Sequence, residues 1–330
     1  VATPVSSGIA VDRYRPGDEA AILGIWRHAL PGDAIDEATF AARVLADVNF
    51  EDDGILVARQ DDQPVGFALA VVRRVPMAPD AGLDPGTAWL FAFGVDPASQ
   101  ARGAGRALVD AAEAFARARG RRRMVVSGYP PGYVWPGVDR AAYPAAAALL
   151  EARGYTVVEE AIAMDRSLVG HRTPADVAAL EARLAKAGYA FGPLSPRHVR
   201  GLFDMTSRSF GADWTRACRE AVARQLPWDR ILVCTRGDAV CGFAMVGAYD
   251  TLPERFGPFG VDPALRGLGL GKVLLYRAMA DLAARGHHST WFLWSETEGP
   301  AATLYRRTGF TPTRTFTVYE KDLGEAQPAG

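Results

Sequence analysis

The sequence predicts an α/β protein built from two copies of one domain. Three observations carry that reading. The stretch FGVDPASQARGAGRALV (positions 93–109) returns 166 positions later as FGVDPALRGLGLGKVLL (259–275), with nine of seventeen residues identical and no gap. Ahead of each copy, two apolar runs flank a polar turn: GILVARQDDQPVGFALAVVRR in the first half, RILVCTRGDAVCGFAMVGAY in the second. These read as β-hairpins. Behind each copy, an amphipathic helix runs to an Arg-Gly stop and a strand follows. The period is too long for a solenoid and marks duplicated domains.

The remaining elements fall into matching places. Helical patterns at about 18–29 and 37–48 precede the first hairpin, and others at about 196–210 and 213–225 precede the second. Leu108, Ala112, Phe115 and Arg119 share one face of the first helix after the repeated motif; Leu270, Leu274, Met279 and Leu282 are spaced similarly in the second. The strands RMVVSG and STWFLWS come next, then a helix, then Gly154-Tyr155 or Gly309-Phe310 and a last strand. Both halves thus read β-α-α-β-β-β-α-β-α-β. An extra helix at about 174–187 opens the second half. The boundary falls near 167–173, giving domains 1–168 and 169–330.

Composition narrows the class. With 49% hydrophobic and 23% charged residues over 330 positions, the chain is globular, and each half is long enough to bury a core. A net charge of −1 provides no basic field for nucleic acid, and Arg121-Arg122-Arg123 reads as a solvated helix end. No apolar run reaches the roughly 18 residues of a membrane span. The first fourteen residues show neither a charged nor an apolar leader region. The three cysteines, Cys218, Cys234 and Cys241, have neither disulfide nor zinc spacing. A cytoplasmic, reducing location is expected, with neither nucleic acid nor membrane as a partner.

The repeated motif has its own chemistry. A strand ends at Val95 or Val261, Asp-Pro turns the chain, and a glycine-rich segment opens a helix. Glycines let the backbone curl until several N–H groups face one point. The helix N-terminus adds partial positive charge, which suits a phosphate or pyrophosphate. Arg266 and Lys272 flank the second copy. Spacing excludes two other glycine loops. Gly269-Leu270-Gly271 is followed by Lys272-Val273-Leu274, not the dinucleotide fingerprint, and Gly271-Lys272 is followed by Val273 rather than a hydroxyl residue.

The ordered pattern Val-Asp-Pro, Arg/Gln-x-x-Gly-x-Gly and amphipathic helix resembles the acetyl-CoA loop of the GNAT acetyltransferase superfamily. Arg266, Gly269 and Gly271 match in the second copy, and Gln100, Gly103 and Gly105 in the first. ETEGPAATLYRRTGF resembles the family's second motif through Ala301, Leu304, Tyr305, Gly309 and Phe310, with Glu298 where asparagine is common. The resemblance implies two tandem GNAT domains, each a mixed, mostly antiparallel sheet flanked by helices. It implies an N-acetyltransferase that moves the acetyl group of acetyl-CoA to a primary amine of a small molecule (an aminosugar, amino acid or polyamine-like compound) by direct attack.

The resemblance also assigns residues. Backbone groups of Phe259, Gly260 and Val261 would pair with the pantetheine amides. Arg266, Gly267, Leu268, Gly269, Leu270, Gly271 and Lys272 would hold the pyrophosphate. The first copy offers Phe93, Gly94 and Val95, then Gln100, Arg102, Gly103, Ala104, Gly105 and Arg106. Tyr305 stands in the general-acid position, where the first domain has Leu150, which cannot donate a proton. The second domain is therefore expected to be catalytic and the first a degenerate copy. Glu254, near the start of the strand leading to the second loop, is the expected general base. Two other functional readings stay open: a coenzyme A-binding regulatory or scaffold protein without turnover, and catalysis in the first domain through Asp139.

Other features say less. The loop 129–144, YPPGYVWPGVDRAAYP, either lines a substrate pocket with Asp139 as its acid or fills space between domains. Trp291 and Trp294 read as core, and His287-His288 as surface rather than metal ligands. A monomer or homodimer is expected.

Overall fold

The computed structural model describes residues 8–324, apart from 80, 131, 250 and 251. Positions 1–7 of the stretch weighed above for a leader lie outside the described residues. The chain forms two compact units: Val1–Pro76, Gly82–Ala161 and Thr315–Gly330 make the first, and Met77–Ala81 with Ile162–Arg314 the second.

The chain order is β1 (Ile9–Arg13), α1 (Glu19–Ala29), α2 (Glu37–Phe40), β2 (Ile55–Gln60), β3 (Gln63–Val72), β4 (Thr87–Val95), α3 (Ala104–Ala118), β5 (Arg123–Val126), α4 (Pro144–Ala152) and β6 (Thr156–Ser167). It continues with α5 (Ala175–Lys186), β7 (Tyr189–Pro193), α6 (Val199–Ser209), α7 (Ala212–Ala223), β8 (Ile231–Arg236), β9 (Ala239–Val246), β10 (Phe256–Val261), α8 (Leu270–Ala284), β11 (Ser289–Glu296), α9 (Pro300–Arg307) and β12 (Thr311–Asp322). The predicted order recurs in both halves, with α5 as the extra helix. One helix departs from its expected form. After α2 the chain widens into a five-residue π segment, Ala41–Leu45, closed by Ala46 N–H donating to Ala41 O at 2.8 Å.

In the first unit, β1 to β4 pair antiparallel in sequence order. The β2–β3 turn places Asp61 and Asp62 at φ +51° and +63°. That is the mirror-image turn whose twist suits a tight hairpin. β5 joins β4 in parallel, Thr87 to Leu90 opposite Arg123 to Val126, and α3 is the crossover. Tyr319 to Asp322 of β12 lie antiparallel on the other edge of β5. In the second unit the order β10-β9-β8-β7 is antiparallel throughout, with β10 at an edge.

Each sheet is buried on both faces, which explains the near-continuous apolar runs of its central strands. Along β2 and β3, Ala58, Ala68, Ala70 and Val72 pack with Leu108, Ala112 and Ala116 of α3. The alternate residues Val57, Phe67, Leu69 and Val71 pack with Ile22 and Trp26 of α1. The second unit repeats this. Cys234, Ala244 and Val246 face α8, whereas Val233, Phe243 and Met245 face α6 and α7. No helix among the described residues is long and apolar enough to cross a membrane.

Candidate active site

Both repeated motifs build the same loop. β4 and β10 each carry one extra residue in the ladder to the preceding strand, between partners Leu69/Ala70 in the first unit and between Phe256 and Phe259 in the second. Such a bulge bends the strand and redirects its groups. Asp96 and Asp262 then close the following turn identically, each carboxylate accepting the N–H two residues on at 3.0 Å. Gly103 and Gly269 precede α3 and α8 at φ +95° and +89°, and neither helix has a side-chain cap. The first-turn N–H groups of both helices therefore lack an intrahelical partner. The second loop needs a further left-handed residue, Gly267 at φ +85°. Its equivalent in the first loop, 166 positions earlier, is Ala101 at φ +60°, a conformation that costs an L-residue roughly 1–2 kcal/mol. The first loop thus keeps the shape even where its glycine is gone.

The strand leading into each loop has an open edge. The β4–β5 ladder stops at Leu90–Val126, short of Phe93, Gly94 and Val95. β10 and β11 share a single parallel bridge, Arg255–Trp291, and then diverge among the described residues. An unpaired strand edge offers N–H and C=O groups to an extended, amide-bearing ligand. Gln100 and Arg266 behave differently. Gln100 donates from Nε2 to Val95 O at 3.1 Å, closing its own turn. Arg266 is exposed, as are Leu268, Arg102 and Arg106, while Ala104 and Leu270 are buried as helix anchors. Beside the second loop lies a cavity of about 440 Å³, lined by Asp176, Lys272, Tyr276, Thr303, Leu304 and Arg307 among others.

Gly260 shows how closely the second loop is packed. A Cβ there would lie 2.4 Å from Phe210 Cζ, and that ring stacks on Trp214 at 4.8 Å between centroids. Gly260→Ala is expected to destabilise the protein by about 1–3 kcal/mol, the usual range for overpacking. Urea unfolding measures it. An unchanged midpoint would mean that Phe210 moves aside freely.

Tyr305 lies on α9, with its ring centroid 4.4 Å from that of Phe292 and 6.1 Å from that of Phe259. Burial among these rings pushes its hydroxyl well above the usual tyrosine range, so it keeps its proton at neutral pH. Leu150 is fully buried in the first core. Tyr143, the nearest phenol before it, donates to Asp33 Oδ2 at 2.6 Å.

Glu254 stands two residues before β10. Its main-chain oxygen accepts Trp291 N–H at 3.2 Å and Thr290 Oγ1–H at 2.9 Å, fixing the strand start. Its Oε1 lies 2.9 Å from Nδ1 of His287. His287, read as surface, is half-buried against this carboxylate; only the sequence neighbour His288 is exposed. The first unit has Ala88 in the equivalent register. Its nearby acid, Asp84, is held at 2.7 Å by the fully buried Arg73 guanidinium, which lies over the rings of Trp89 and Tyr129.

Asp139 has a turn to hold. Its Oδ1 accepts the N–H groups of Ala141 and Ala142 at 3.1 and 3.0 Å. Tyr129 in the same loop is fully buried and its hydroxyl accepts from Asn49 Nδ2 at 2.7 Å, while Trp135 packs edge-on to Trp26 at 5.7 Å. These contacts tie the loop into the first unit's own core. Trp291 and Trp294 are half-buried, and Phe292 between them is the core residue. Among the described residues no group of three or more His, Cys, Asp or Glu could hold a metal.

The two loops, the free strand edges and the aromatic cluster around Tyr305 are the arrangement of an acyltransferase, and comparison with known proteins agrees. Residues 21–131 match the acetyltransferase (GNAT) family model and residues 227–312 an acetyltransferase (GNAT) domain model. The chain belongs to the GNAT acetyltransferase family and carries two GNAT domains. It is 30% identical over 254 residues to a mycothiol acetyltransferase of Thermomonospora curvata, covering 73% of this chain and 77% of that one. It is 27% identical over 318 residues to the mycothiol acetyltransferase of Clavibacter michiganensis subsp. michiganensis, covering 94% of each. Its fold is similar to the GCN5-related glucosamine N-acetyltransferase region of a fungal multi-domain GH3 β-N-acetylglucosaminidase. That match has a TM-score of 0.80 at 20% identity, over 96% of this chain and 38% of that longer one.

Proposed function

We propose that the protein is an N-acetyltransferase that takes its acetyl group from acetyl-CoA, acts on a primary amine of a small molecule, and does its chemistry in the second unit. The observation that carries this is the open edge of β10 running into an uncapped helix through two left-handed glycines, with Tyr305 beside the same strand. That arrangement fits coenzyme A. The first-turn N–H groups of α8, with Arg266 and Lys272 nearby, face a pyrophosphate, and the β10 edge pairs with pantetheine amides. Acetyl-CoA supplies the activated acetyl thioester. Tyr305 holds a proton for the departing sulfur. The Glu254–His287 pair takes the proton that the attacking amine must lose, directly or through water. The first unit keeps the loop without the acid, and serves as a supporting copy.

The test is a panel of amine acceptors read by release of free thiol. The relatives named mycothiol acetyltransferase put an amine of mycothiol chemistry first on that panel, followed by aminosugars, amino acids and polyamines. Absence of thiol release with every amine, in a protein that binds acetyl-CoA, would count against this reading.

The pair of Glu254 and His287 gives a separate expectation. Glu254→Gln should shift the acidic limb of the kcat profile to higher pH, because the amine must then lose its proton to solvent. His287→Ala should lower kcat by a smaller factor, since the carboxylate loses the partner that orients it. Profiles that coincide with wild type for both variants would remove Glu254 from the mechanism.

A further inference from the structure

The two loops differ in what lies on them. In the first unit, nothing approaches within 4 Å of where a Cβ would stand on Gly103, and Arg102 and Arg106 are exposed. In the second unit, α5 packs against α8. Leu180 Cδ2 is 2.8 Å from where a Cβ would stand on Gly269. Asp176 Oδ2 lies 2.6 Å from Lys272 Nζ, and Glu181 Oε1 2.9 Å from Arg277 Nε. No element equivalent to α5 precedes β1 among the described residues. The lysine best placed to meet a phosphate is thus already occupied by a carboxylate of the same chain.

We propose that the first turn of α5 is a strap over the second loop, with Asp176 as an internal anion that the phosphate of coenzyme A displaces from Lys272. This rests on reading that loop as the donor site. Val177, in the first turn, and Leu184 are buried in the unit's core, so α5 stays in place and the exchange is confined to the exposed Asp176 side chain. Asp176 is two-thirds exposed, so breaking its ion pair is cheap and the competition modest. The strap makes binding at this loop weaker and more selective for ligands that bring two or more negative charges.

Coenzyme A titrations of the intact protein, with Asp176→Asn, Gly269→Asp, Lys272→Ala and the double variant Asp176→Asn/Lys272→Ala, test the proposal. Asp176→Asn is expected to tighten binding about two- to fivefold, the range of an exposed ion pair. The gain should vanish in the Lys272→Ala background. If Gly269→Asp weakens binding while Asp176→Asn leaves it unchanged or weaker, the strap is wrong and the donor site stands. If neither Gly269→Asp nor Asp176→Asn changes the affinity, the loop is not the donor site at all.

Discussion

Replacing Gly269 with aspartate is expected to cut acetyl-CoA affinity at the second loop by roughly 100-fold. The reason is charge. A carboxylate about 5 Å from a pyrophosphate, at an effective dielectric near 20, is unfavourable by about 3 kcal/mol, or about two powers of ten. Backbone strain adds a cost that falls on stability instead. Gly269 sits at φ +89° against Leu180, and a side chain there costs roughly 1–2 kcal/mol for the left-handed conformation alone. Gly269→Ala separates the two effects, carrying the strain without the charge. Calorimetry on proteins whose folding is verified by circular dichroism reads the result. Gly103→Asp is the matching change in the first loop. If that variant loses binding and Gly269→Asp does not, the donor site is in the first unit. Unchanged affinity in a folded Gly269→Asp protein would sink the assignment of the second loop.

Tyr305→Phe is expected to lower kcat by about 10²–10⁴, the usual worth of a positioned general acid, with acetyl-CoA affinity kept. The environment of Tyr305 makes the test clean. The ring is packed by Phe256, Phe259, Phe292 and Phe310, so phenylalanine fills the same space. The melting temperature should therefore move little, and a loss of turnover reports the proton rather than the fold. Asp139→Asn is the contrasting variant. Asp139 Oδ1 receives two main-chain N–H groups, and an asparagine amide oxygen can accept both, so this variant should fold and turn over much like wild type. Full turnover by Tyr305→Phe, alongside a folded but inactive Asp139→Asn, would transfer the chemistry to the first unit.

The duplication, the element order and the two loops were legible in the sequence because each depends on local geometry. A left-handed residue, a helix start and a hairpin turn are properties of a few consecutive residues, and glycine, Asp-Pro and paired aspartates announce them. The β3 run was legible as a strand of a hairpin, whereas its burial on both faces came only from the packed helices. Tyr305 could be placed through the spacing of its motif, and Leu150 by the same count in the first half.

Pairings between distant residues could not be read this way. Nothing near His287 announces Glu254, 33 positions earlier; the β11 strand start must first be laid beside Glu254 by the bridge at Arg255 and Trp291. Tyr319 pairs with Val126 across 193 positions, because strand register is set by the whole sheet. Asp176 reads as an ordinary first-turn carboxylate of an extra helix until α5 is packed against α8 and Lys272 is its neighbour. By itself the sequence determined two GNAT-type domains and the turn of their glycine loops into a helix, since backbone conformation is a local property. The tertiary structure alone decided which side chains meet, because contacts over tens to hundreds of residues exist only once the sheets and helices are packed.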